Sequence, residues 1–101
     1  MPSITDLASA TAAITTATDT ALVTATAGQK TRVHRVTLNV DGANILTFKS
    51  ASTQLLKFTA AGFYTLNFSD RPWLVTAVNE ALNLTTSTTA LVNITVEYVK
   101  N

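Results

Sequence analysis

The chain has no cysteine, so neither a disulfide framework nor thiolate chemistry is open to it, and packing alone must hold the fold. Charge is nearly as scarce. Asp, Glu, Lys and Arg make up only 13% of the 101 residues, and the formal net charge is +1. That balance lacks the marked basic excess with which a domain of this size binds nucleic acid. A single histidine without any cysteine supplies no metal-ligand set, and no cofactor is expected. No apolar run approaches the length of a membrane span, and the opening "MPSITDLASATAAITTATD" has neither the basic start nor the continuous apolar core of a secretory signal. The expectation is a protein made and folded in a cytoplasm, without a membrane partner.

What the chain has in abundance is threonine, twenty residues of it. A β-branched side chain suits a pleated, half-exposed surface and so favours strands over helices. From residue 20 onward, short segments rich in Val, Ile, Leu, Phe and Thr recur between Gly, Asn, Asp and Pro breaks. About eight strands are expected: 20–26, 31–40, 44–50, 54–60, 63–68, "WLVTAV", "ALNLTTST" and "LVNITVEYV". Asp41-Gly42 reads as a hairpin between the second and third, and Ala61-Gly62 as a turn between the fourth and fifth.

Alternation assigns the faces. Val92, Ile94, Val96 and Tyr98 share one side of the last strand while Asn93, Thr95 and Glu97 share the other. Val36, Leu38 and Val40 alternate likewise with Thr37, Asn39 and Asp41, as do Leu82 and Leu84 with Asn83 and Thr85. Antiparallel strands with one buried face and no helical pattern between them imply an all-β, antiparallel β-sandwich, of jelly-roll or immunoglobulin-like order. The buried set should include Val36, Leu38, Val40, Phe48, Leu84, Ile94 and Val96.

Residues 1–19 differ from the sandwich domain at 20–101. They are mostly Ala, Thr and Ser, dotted with Ile4, Leu7 and Ile14, and form a low-complexity arm that is either a short helix followed by extended chain or extended throughout. With no evident partner in its own chain, such an arm gains most by packing on a neighbour.

No side chains in the sequence define a catalytic set. His34, flanked by Arg32 and Arg35, has no Ser, Cys or carboxylate at a spacing that marks a triad. It reads as a structural or rim histidine, and the protein as a non-enzyme. The carboxylates are scattered, Asp41 and Asp70 at apparent turns. "NFS", "NLT" and "NIT" match the N-glycosylation pattern, as a threonine-rich chain does by chance. Trp73, just after the turn proline in "SDRPWLV", reads as part of the core or a subunit interface rather than a sugar platform. Arg32 and His34 share strand parity with Val36, which places them at one rim. The arginines there are either solvated or paired with carboxylates of a partner.

The stretches "TALVTATAGQKTRVHRVTLNVDGANILTFKS", "FSDRPWLVTAVNEALNLTTST" and "LVNITVEYV" resemble small structural proteins of tailed bacteriophages. Among those proteins an A-G-x-x-x-R-V lead-in, a V-T-F-K-S strand and an x-E-A-L-N-L strand recur, and the likeness covers residues 20–99. It implies a β-sandwich of the virion, and above all a head decoration or cement protein sitting as a homotrimer on the capsid surface and bridging copies of the major capsid protein. Other members of such a group belong to tails or fibres, so a tail- or fibre-associated binding module, carbohydrate-binding ones included, is the alternative. The interface residues expected on the first reading are Ile4, Leu7, Ile14, Arg32, Arg35 and Trp73. No catalytic residue carries over, because the group is defined by architecture rather than chemistry.

Overall fold

A computed structural model describes residues 7–68 and 74–101. Among the described residues there are six strands: β1 (Ala8–Ile14), β2 (Asp19–Val23), β3 (Thr31–Ser50), β4 (Thr53–Asn67), β5 (Leu82–Thr86) and β6 (Val92–Lys100). All pairings are antiparallel. The strands run β1-β6-β3-β5-β2, with β4 on the other edge of β3. They form a single, nearly closed, barrel-like sheet rather than two clearly separate sheets.

The reason lies in β3. Its first half, Thr31 to Val40, pairs with β6, and its last residues, Leu46 to Ser50, pair with β5, while β4 follows almost its whole length on the opposite edge. Between Val40 and Asn44 the register breaks, and Asp41, Gly42 and Ala43 stand against Ala61 alone. Extra residues on one strand bend it and increase its twist. The long β3–β4 ribbon therefore folds over at this corner and turns its two halves toward each other. Gly62 sits at the bend with φ +101°, a backbone conformation closed to most L-residues.

The corner corrects two readings of the sequence. Asp41-Gly42 does not close a hairpin, because the segments on either side of it pair with β4, β5 and β6 rather than with each other. The Asp41 N–H instead donates to the carbonyl of Leu91 at 3.0 Å. Likewise Ala61-Gly62 is passed by a continuous strand. The segment beginning at Trp73 contributes only a single bridge, Arg32 to Val75, within the described residues.

The inner faces meet in one core. Val33, Val36, Leu46, Phe48, Leu82, Leu84, Val92 and Val96 have no measurable exposure, and Leu38, Val40 and Ile94 are buried beside them. Each residue expected inside from alternation is inside. Phe48 stacks on Phe58 with ring centroids 6.3 Å apart, and Phe58 meets Tyr64 edge-on at 6.4 Å, separations typical of attractive aromatic pairs.

The arm finds a partner in its own chain. Residues 8–14 are extended, not helical, and pair with β6 from Ala8↔Tyr98 to Ile14↔Val92. Ile14 is buried in the common core. The spacing of its apolar residues allowed a helical face, but β-branched threonine and a free edge on β6 favour the strand. The boundary expected after residue 19 falls inside β2.

Candidate functional site

Two surfaces among the described residues group polar side chains that could meet a partner. The first is the end of the barrel where β3 begins and β6 finishes. Four of the basic residues, Lys30, Arg32, Arg35 and Lys100, gather there because β6 returns antiparallel to β3, pairing Thr31 with Lys100 and Arg35 with Glu97. Arg32 Nε donates to Asn101 Oδ1 at 2.9 Å. Arg35 is held by Glu97 of the same chain, with Nε and Nη2 at 2.6 and 2.5 Å from one carboxylate oxygen. Lys100 Nζ donates to the Thr24 carbonyl and, at 2.7 Å, to Thr26 Oγ1. Most of these cations therefore have partners within the chain.

Local backbone bonds fix this end. Gly28, with φ +76°, donates its N–H to Asn79 Oδ1 at 2.5 Å. Thr31 and Thr76 exchange two bonds of 2.9 and 3.0 Å. Nearby, Ser50 Oγ donates to Glu80 and accepts from the Ala77 N–H. Lys30, Ser50, Val75 and Glu80 border a shallow cavity of about 350 Å³.

His34 does not share the inward parity of Val36. The register shifts between Val33 and Arg35, so Val33 and Val36 both point inward, although three positions apart, and His34 is the extra residue of a bulge. Its carbonyl accepts the Phe68 N–H at 2.7 Å, while its Nδ1 is buried without a hydrogen bond among the described residues. No group of three His, Cys, Asp or Glu side chains among the described residues is placed to hold a metal ion.

The second surface is the outer face of the half formed by β1, β6, β3 and β4. Register aligns Thr11, Thr95, Thr37 and Thr65 in one row across the four strands. The next row toward the corner is Ala13, Asn93, Asn39 and Phe63. On the other side lies Ser9, Glu97, Arg35 and Asn67, where the only charges of the three rows neutralise each other. Phe63 is 69% exposed, more than any other large apolar side chain described. A groove of about 300 Å³ crosses this face beside it. The side chains of Asn39, Asn93, Thr11, Thr37, Thr65 and Thr95 make no hydrogen bond with any described residue.

Of the residues expected at an interface, Arg32 and Arg35 share the basic end. Leu7 is half-buried ahead of β1, and Ile14 is a core residue of its own chain. Ile4 and Trp73 lie outside the described residues, as do Asp70 and the rest of 69–73. The threonine row and Phe63 escaped the sequence reading. Alternation marks their outward parity, but which outward residues adjoin across strands depends on register, and the turn expected at Ala61-Gly62 hid the continuity of β4.

Comparison of the chain with protein-family models, with curated proteins and with solved structures returned no match.

Proposed function

We propose that this chain is a structural protein of a bacteriophage virion, a decoration or cement protein that binds the outer surface of the head and bridges neighbouring capsid subunits as a homotrimer. The observation that carries this reading is the strand order. Taking the corner at Asp41–Ala43 as a fold line, one half runs β1-β6-β3-β4 and the other β2-β5-β3-β4. That order resembles the one of the eight-stranded jelly roll, an architecture used by viral capsid and lectin domains, and this supports the reading. The likeness of residues 20–99 to phage structural proteins points the same way. Fold alone leaves function open, and the surface supplies the rest: it is poor in charge, and β4 pairs only with β3 among the described residues, leaving one edge of a 15-residue strand for a neighbour.

The experiment is to quantify the chain in purified virions and to add it to heads that lack it. Saturable binding at a copy number set by the capsid lattice, with a trimer in sedimentation equilibrium, is the expected result. Presence only in tails, at tail copy number, would transfer the protein to the tail- or fibre-associated reading, and absence from virions would overturn both.

A further inference from the structure

We propose that the outer face around Phe63 is a binding site for a neutral glycan, with the Phe63 ring as the stacking platform and Asn39, Asn93, Thr37 and Thr95 as the hydroxyl-reading groups. The inference goes beyond the head-binding proposal and does not rest on it, since an isolated chain can be tested for sugar binding without any capsid.

The geometry comes from register. Phe63 stands directly opposite Asn39, Asn39 directly opposite Asn93, and the threonine row lies two residues further along each strand. Neighbouring strands are about 4.8 Å apart, so an amide, a second amide and a line of hydroxyls lie within the span of one or two sugar rings beside an exposed aromatic face. An amide offers two donors and an acceptor, and a hydroxyl offers both functions. These are the partners that vicinal sugar hydroxyls need, while the apolar C–H face of a pyranose needs a ring such as Phe63. The groove of about 300 Å³ is at the small end of ligand pockets, in keeping with a short stretch of saccharide.

Charge and polarity choose among occupants. An anionic polymer would require cations, and the two rows concerned contain none, while Arg35 in the third row is held by Glu97. A second copy or another protein would have to bury the free amides and hydroxyls against a flat surface. Buried polar groups left without partners are expensive, and a single apolar ring does not make the apolar centre of a stable interface of about 800 Å² per partner. A hydroxylated ligand satisfies the same groups it covers. Phe63 itself is the residue that simple solvation leaves unexplained, since a polar side chain would serve an outward strand position better.

The test uses the full chain labelled with ¹⁵N and titrated with maltohexaose, cellohexaose and chitohexaose, with a heparin hexasaccharide as the anionic comparison, each to about 10 mM. At least one neutral oligosaccharide should bind with a Kd of about 0.1–1 mM, shifting amides at 37–39, 63–65 and 93–95. Phe63→Ala should weaken that binding at least tenfold while leaving amide positions elsewhere unchanged, Asn93→Ala should weaken it severalfold, and Phe63→Tyr should retain it. The proposal is overturned if no neutral oligosaccharide binds, if only the heparin fragment does, or if binding is indifferent to Phe63→Ala. It is equally overturned if Phe63→Ala dissociates a homo-oligomer and no sugar binds, which would make this face a self-contact.

Discussion

Asn44 closes the corner with one side chain. It is 2% exposed, and its Oδ1 accepts from the Ser87 and Thr88 N–H groups at 2.8 and 3.2 Å while its Nδ2 donates to the Ala90 carbonyl at 3.2 Å. The loop between β5 and β6 is thereby tied to the bulge of β3, and a buried amide meets its partners on both its oxygen and its nitrogen. Asn44→Ala should lower stability by about 1–3 kcal/mol, because it removes the buried side chain that accepts from the Ser87 and Thr88 N–H groups and donates to the Ala90 carbonyl, and the urea midpoint should fall accordingly. Ala51 illustrates the opposite case. It holds φ 51° in the turn between β3 and β4, where a Cβ is unfavourable. Ala51→Gly should therefore raise stability by about 0.5–1 kcal/mol, the relief of strain exceeding glycine's extra entropy in the unfolded chain, with a small rise in Tm as the readout. Neither role is visible in the sequence: "DGAN" advertises turn chemistry, but whether its asparagine bonds to its own turn or to a loop more than forty positions away depends on the fold.

Among the elements, β6 was the most legible. Its alternation gave the buried face at Val92, Ile94 and Val96, because a strand with one buried face leaves little freedom of register, while its place between β1 and β3 and the burial of Val99 beside a half-buried Tyr98 came only with the fold. β3 and β4 were legible only as halves, since a glycine inside a run signals a turn and a bulge equally well. β1 was the least legible, an Ala-Thr segment that owes its place to pairing with β6 and to one large apolar side chain, Ile14. Its inclusion in the sheet changes what truncation should do. Deleting residues 2–14 strips β6 of a neighbour and removes Ile14 from the core, so the truncated chain should lose its cooperative thermal transition instead of yielding a folded barrel with a missing tail. Ile14→Ala, a milder probe, should cost about 2–5 kcal/mol. A truncated chain that melts like the parent would show β1 to be dispensable.

For the molecule as a whole, the basic end and the outer face separate two kinds of contact. Among the described residues the Arg32 side chain donates to Asn101, and on the head-binding proposal it can exchange that bond for a carboxylate of a head subunit, whereas Arg35 would first have to leave Glu97. Arg32→Glu should thus weaken attachment to heads, with the difference from the parent shrinking as salt rises from about 0.05 to 0.5 M; Phe63→Ala should leave attachment unchanged. An attachment assay on heads lacking the protein distinguishes the two. Of the site, the sequence disclosed the cluster of basic residues but not their internal pairing, which depends on β6 returning to lie beside the start of β3.

The pairing of Ala8 with Tyr98 has a kinetic consequence. β1 is made well before its partner β6, so this half of the barrel cannot close until β6 has been synthesised. The β3–β4 ribbon, whose partners are close in sequence, can form during synthesis; β1 must wait. Contacts of such long sequence separation slow folding, and until β6 arrives β1 has no strand to pair with. Docking of β6 between β1 and β3 is therefore the event that turns a nascent ribbon into a closed unit, and it withholds the finished surface from any assembly partner until β6 has been made.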